Sequence, residues 1–245
     1  MRKRLSRGAC AEFRYSKAHL NSRILPVSTE RKTALLTQFA RVGKALGNPA
    51  RLQLLDLLIQ AERSVEALAA SAGMPVGNTS AQVRALHAAG LVTCRRDGTR
   101  IYYRLASDEV AALYRAMCDV ARTHLPDAEA ARAAYLHSDD LAEPVSRAEL
   151  LRRAEAGNVI VIDVRPAEEY AAGHIPGAMS VPLVELPARL DALPAGSEIV
   201  AYCRGAYCVL APDAARLLRA SGRSARHLAE GMLEWRLEGL PVEAA

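Results

Sequence analysis

The run Val200-Ala201-Tyr202-Cys203-Arg204-Gly205-Ala206-Tyr207-Cys208 passes from a short apolar strand, through a compact loop containing glycine, into the helical pattern Ala211 to Ala220. That order sets Cys203 at a helix N-terminus, where free backbone N–H groups and the helix dipole favour a thiolate over a thiol. A thiolate so placed is a nucleophile. The feature constrains the fold because strand end, loop and helix start have to meet around one sulfur.

Three further motifs accompany it. Upstream stand Asp163-Val164-Arg165-Pro166 with Glu169-Tyr170, then Gly173-His174-Ile175-Pro176-Gly177-Ala178; downstream stands Gly231-Met232-Leu233-Glu234-Trp235 with Gly239-Leu240-Pro241-Val242. In this order residues 145–243 resemble the rhodanese family of sulfurtransferases. The resemblance implies an α/β fold with a parallel sheet, and a catalytic Cys203 that takes a sulfane sulfur as a persulfide and passes it to a thiol acceptor. Arg204, Gly205, Ala206, Tyr207 and Cys208 are then the sulfur-binding loop: their amides ring the sulfur, Gly205 allows the tight backbone, and Arg204 lowers the thiol pKa and attracts an anionic donor. By the same resemblance, Asp163 and Arg165, after the strand Val159 to Ile162, are a buried ion pair bracing the site. His174 and Trp235 read as structural.

The loop departs from the family at two positions. Ala206 stands where many rhodaneses have Gly, and Cys208 where many have Arg. A second thiol there can resolve a persulfide on Cys203; packing behind the loop is the other reading of Cys208. Related cysteine phosphatases carry an arginine six positions after the cysteine. Here that position is Val209, so phosphoryl transfer is not expected.

The first half reads differently. Leu35, Leu36, Phe39, Val42, Ala45 and Leu46 recur at helical spacing between Thr33 and Leu46, and a nearly all-apolar helix follows from Leu52 to Ile59. Val65 to Ser71 and Asn78 to Ala89 form two short helices around Gly73 and Pro75, a helix-turn-helix. Two strand-like runs flank Asp97-Gly98, the signal of a hairpin wing. A last helix, Asp108 to His124, carries Val110, Leu113, Met117 and Val120 as an apolar stripe able to serve a dimer. With Ala45-Leu46-Gly47-Asn48-Pro49-Ala50-Arg51-Leu52 at its start, this order over residues 33–124 resembles the ArsR-type winged-helix repressors. The resemblance implies a homodimer on an inverted-repeat operator.

Thr79, Ser80, Gln82 and Arg84 on the second short helix are the residues expected at DNA, where Gln and Arg contact base edges, joined by Arg95, Arg96 and Arg100 of the wing. A solvated helix face is the bland alternative. The basic excess itself argues little, since residues 1–32 hold nine basic and two acidic residues. Asp119 and His124 lack the companions a transition metal needs, so no metal or cofactor is expected.

The chain thus divides into a basic flexible tail (1–32), a mainly α winged helix-turn-helix domain with a β-hairpin wing (33–125), a linker (126–144) and an α/β rhodanese domain (145–245). No apolar run approaches the ~20 residues that cross a bilayer, and no apolar stretch follows the basic N-terminus. Five cysteines without framework spacing suit thiol chemistry in a reducing cytoplasm. The expected function is a DNA-binding regulator, a repressor, whose rhodanese domain handles reactive sulfur, with double-stranded DNA, a sulfane-sulfur donor and a thiol acceptor as partners and no membrane. The alternatives are a thiosulfate or polysulfide sulfurtransferase with the helix-turn-helix as accessory, and a thiol redox sensor.

Overall fold

The computed structural model describes residues 27–136, 143–194 and 196–245. Helix α1, Val27–Leu46, starts six residues before the expected Thr33, because Ser28 to Lys32 are compatible with helix although they lack apolar periodicity. Its middle turns carry the exposed Leu35, Leu36 and Phe39. Residues 1–26 of the expected tail lie outside the described residues.

From Arg41 to Ala245 the chain forms one compact unit. Asn48 caps α2 (Pro49–Gln60) by accepting from Arg51 N at 3.1 Å, with Pro49 in the first turn, where its missing N–H costs nothing. Leu54, Leu55, Leu57 and Leu58 of α2 are buried in the winged-helix core with Leu68, Val83 and Leu86. Ser64 caps α3 (Val65–Ala72) through Ala67 N at 3.2 Å, and Gly73 ends it in the left-handed region at φ 64°. Helix α4, Val76–Ala88, follows across Met74 and Pro75.

The wing pairs β2 (Val92–Asp97) antiparallel to β3 (Arg100–Leu105), with Asp97 opposite Arg100. The turn residues are therefore Gly98 and Thr99, one position later than expected, with Gly98 at φ 58°. A two-residue strand absent from the sequence reading, β1 (Arg63–Ser64), pairs with the other edge of β3, Arg63 opposite Tyr103. Helix α5, Asp108–His124, closes this part; on it Val110 is buried while Leu113 and Val120 are exposed. The stretch expected as a linker begins as helix α6, Pro126–Leu136, and residues 137–142 lie outside the described residues.

After α7 (Arg147–Glu155) come β4 (Val159–Asp163), α8 (Ala167–Ala172), β5 (Met179–Ser180), α9 (Leu186–Arg189), β6 (Glu198–Tyr202), α10 (Leu210–Ala220), β7 (Ala225–His227) and α11 (Met232–Leu237). The strands form one parallel sheet in the order β5-β4-β6-β7. Ile162, Val164, Ile199 and Ala201 pack with α10 in one core, and Val161, Val200 and Tyr202 with Met232 and Trp235 in another, so the apolar strands are buried on both faces. A further cluster joins the two parts: Ile59 of α2 and Ala111 of α5 bury against Leu233 of α11. Burial of Ile59 and Leu233 contributes about 1.5–3 kcal/mol each. No helix among the described residues is long and apolar enough to cross a membrane.

Candidate sulfur site and nucleic-acid interface

Strand β6 is buried over its last four residues and delivers Cys203, 2% exposed, to the C-terminal edge of the sheet, where α/β folds place ligands. The loop then turns through Gly205 into α10. Its tightness has a steric cause below it: a Cβ on Gly231 would lie 2.4 Å from Gly205 N and 2.5 Å from Cys203 O. The Glu234 carboxylate, 1% exposed, supports the loop from beneath by accepting from Gly231 N at 2.9 Å and Ala206 N at 3.4 Å. Burial raises its pKa.

The two thiols of the loop are neighbours. Cys203 Sγ donates to the Cys208 carbonyl at 3.5 Å, and the thiols hydrogen-bond each other. Burial pushes the Cys203 thiol well up, against the opposing pull of the Gly205 and Ala211 amides. Cys208 is lowered, chiefly by the hydrogen bond from Cys203, with the Leu210 and Arg204 amides adding to it. The expected acid shift of Cys203 is thus corrected for the resting loop. The amide cradle exists, but it serves both sulfurs, and desolvation of the deeper one outweighs it.

Arg204 is also corrected. Its side chain forks onto Glu169, with Nε 3.0 Å from Oε2 and Nη2 2.7 Å from Oε1, and is drawn away from Cys203. Its charge helps lower Cys208. Asp163 and Arg165, both 0% exposed, form a bidentate pair, and Arg165 donates further to Gly173 O at 2.8 Å and Gln60 Oε1 at 3.1 Å. His174 stacks on Tyr170 with ring centroids 3.7 Å apart, and Trp235 Nε1 donates to Pro241 O.

On α4 the expected DNA contacts separate. Thr79 is 0% exposed and its hydroxyl donates to Pro75 O at 3.1 Å, so it is removed from the reading surface: it lies one turn before the buried Val83, on the core side. Arg84 is exposed, its Nε held by Ser80 O at 3.2 Å, and Ser80 is half-buried. Gln82 is positioned from both sides, its Oε1 accepting from Arg51 and its Nε2 donating to Asn78. Arg51 also binds the Ala45 and Lys44 carbonyls and so links the end of α1 to α4. On the wing Arg96 and Arg100 are exposed. Arg95 is exposed too, but it is engaged by Glu62 at 2.6 Å and lies over the Tyr102 ring, contacts it would have to give up to meet a phosphate.

Residues 48–93 match the family described as bacterial regulatory protein, arsR family, and residues 146–238 match the rhodanese-like domain. An HTH-type transcriptional regulator of Mycobacterium tuberculosis is 56% identical over 215 residues, covering 88% of this chain and 94% of that protein. The chain is an ArsR-family transcriptional regulator with a rhodanese domain. A sulfurtransferase of Allochromatium vinosum is 31% identical over 93 residues, 38% of this chain and 86% of its own. Among solved structures, the homodimeric winged helix-turn-helix DNA-binding domain of a possible ArsR-family regulator from Mycobacterium bovis is 54% identical, covering 40% of this chain and 91% of that one at a TM-score of 0.38.

In this ArsR-family regulator the residues that sequence reasoning missed lie where the winged helix meets the loop. Arg63 of β1, 4% exposed, donates to Glu169 at 2.6 Å and Glu168 at 3.0 Å, so Glu169 is shared between Arg63 and Arg204. Gln60 donates to Arg204 O at 3.5 Å, Arg236 donates to Ile59 O, Arg115 of α5 reaches Glu234 at 3.4 Å, and the Tyr207 hydroxyl donates to Asp119 at 3.5 Å. Asp56 of α2 feels Arg204, Glu169 and Glu234; burial of its carboxyl raises its pKa to about 6, with Arg204 opposing. Arginines and carboxylates taken singly look like surface charge in a sequence. Only the Glu234 and Glu169 motifs gave a signal, through the family resemblance. Among the described residues, no group of three or more His, Cys, Asp or Glu is placed to hold a metal ion.

Proposed function

We propose that the protein is a cytoplasmic homodimeric repressor whose two α4 helices and wings bind an inverted repeat, and whose Cys203 takes up sulfane sulfur to change DNA affinity. The exposed Leu113 and Val120 on α5 support a dimer, and one reading helix per protomer requires half-sites about one helical turn apart. The observation carrying the sulfur reading is the adjacency of Cys203 and Cys208 in a loop whose Arg204 is hydrogen-bonded through Glu169 to Arg63 of the winged helix.

Cys203 passes its proton to the Cys208 thiolate it is hydrogen-bonded to and attacks a sulfane sulfur of a polysulfide; the donor S–S bond breaks, the shortened polysulfide leaves with the electron pair and takes up that proton, and a persulfide forms on Cys203. The Cys208 thiolate then attacks Cys203 Sγ, closing a disulfide and expelling the outer sulfur as hydrosulfide. Closure alters the loop on which Arg204 and Tyr207 sit, and so the contacts they make with the winged helix. The test is a titration of the full chain against operator DNA selected from a random pool, before and after polysulfide, with mass spectrometry of the same samples. Wild type links Cys203 to Cys208 and changes DNA affinity; Cys208→Ser accumulates open persulfide on Cys203 with an altered DNA response. Identical persulfide lifetimes and identical DNA binding in both would overturn the reading in favour of a turnover sulfurtransferase.

A further inference from the structure

The corrected position of Arg204 leaves a gap in the sulfur site. Cys208 stands where many rhodaneses carry Arg, and the Arg204 side chain, forked onto Glu169, is not on the wall of the thiol cavity. Yet Cys203 and Cys208 open into a cavity of about 270 Å³. Its far wall is made by α6, whose Leu136 is 6% exposed and whose Arg132 lines the same cavity. Among the described lining residues Arg132 is the one arginine or lysine, and Glu143 the one carboxylate. Glu129, one turn earlier, holds its Nε at 3.0 Å and its Nη2 at 2.6 Å, which orients the guanidinium and leaves Nη1 outside that fork.

A second, independent feature faces the same space. His227, at the end of β7, lines the cavity and is 8% exposed, and its buried Nδ1 has no hydrogen-bond partner. An orphaned buried ring nitrogen costs free energy unless a ligand or water meets it. A guanidinium and an imidazole nitrogen on the wall of a cavity containing the thiols suit a compact oxyanion attached to sulfur.

We propose that Arg132, on the helix that precedes the rhodanese module, is the anion-binding residue of the Cys203 cavity, holding the sulfonate end of a thiosulfate-class donor with His227 Nδ1 as second contact. The proposal deepens the sulfur-uptake reading and rests on it for the fate of the sulfur. Cys203, its proton passed to Cys208, attacks the outer sulfur of thiosulfate as the thiolate; the new S–S bond forms as the old one breaks, the outer sulfur keeps its charge in the persulfide, and sulfite leaves with the bonding electron pair as its second negative charge. No oxidant is needed. Because Arg132 is supplied by α6, donor specificity depends on a helix continuous with the winged-helix side of the chain.

Two measurements on the full chain test this. In the first, persulfidation of Cys203 is followed by mass spectrometry with thiosulfate and, separately, with inorganic polysulfide, which has no sulfonate. Arg132→Gln raises the thiosulfate half-saturation about tenfold or more and leaves the polysulfide rate within about twofold, Arg132→Lys recovers most of the loss, and His227→Phe gives a smaller increase. In the second, Cys203→Ser, which cannot form a persulfide, is titrated with thiosulfate by calorimetry, alone and combined with Arg132→Gln. Arginine-dependent binding there supports the assignment even if sulfur uptake fails to alter DNA binding. A thiosulfate half-saturation and binding constant unchanged by Arg132→Gln overturn it, and leave the sulfur-uptake reading standing if Cys203 is still persulfidated.

Discussion

The outward face of α4 with its wing, and the seam between β1 and the rhodanese loop, are both built around arginine, and the arginines behave in opposite ways. Arg84, Arg96 and Arg100 are exposed and held only by single contacts or none beyond their own element. Arg63 and Arg165 are 4% and 0% exposed, and each is fixed by two acceptor groups or more. A cation in water keeps its charge available to a phosphate and contributes little to stability. A buried cation costs several kcal/mol to desolvate and persists only where acids face it; Arg63 has Glu168 and Glu169 while its Nε goes unpaired, so the seam is intolerant of losing either acid.

The sharpest way to break this contrast is Glu169→Ala, which leaves both Arg63 and Arg204 without their shared acceptor. Urea unfolding is expected to register a loss of about 3–5 kcal/mol; a loss below about 1 kcal/mol would mean that the seam is no lock. On the reading side, Gln82→Ala and Arg84→Ala should each cost about 1–3 kcal/mol of discrimination between operator and unrelated DNA, with folding nearly unchanged. Thr79→Val is the control within the same helix: operator preference is retained, and about 1 kcal/mol of stability is lost with the hydroxyl bond to Pro75 O. A competition footprint separates the three.

The smallest effect is the pH signature of Asp56. Its carboxyl is raised from 3.8 to about 6, chiefly by burial. Between those values the folded chain binds more protons than the unfolded one, so this group's contribution to stability falls as pH rises from 4 to 6. Asp56→Asn removes that slope. Thermal midpoints of wild type and variant should converge near pH 4, and the variant should be more stable at pH 7.5 by about 1 kcal/mol, less than the full shift because the residue is partly open to water. A constant difference across the range would place the shifted proton elsewhere.

Local features of the fold were legible in the sequence. Gly73 after α3, a hairpin at Asp97-Gly98 one residue from its observed turn, and the strand-loop-helix around Cys203 each announce themselves within a few neighbouring residues, because turns, helix ends and amide cradles are short-range physics. The errors follow from distance. Thr79 was placed on the reading face because its polarity outweighed its helical phase. Arg204 was assigned to the donor because its partner Glu169 lies 35 residues away, and Gln60, Arg63 and Arg236 gave no warning because their partners lie 105 to 177 positions off. Cys203 was expected to be acidic because an amide cradle can be read from a loop, whereas depth of burial needs the whole sheet.

Arg63 has one foot in each module: its backbone is a rung beside Tyr103 of the wing sheet, and its guanidinium belongs to the ion pairs of the rhodanese loop. The two modules are therefore not interchangeable cassettes. A rhodanese unit grafted from another protein would have to bring acids matching Glu168 and Glu169, and a winged helix cut free after α5 would carry into solution an arginine shaped for a partner it no longer has. A change at position 63 is therefore felt at position 169, and the reverse.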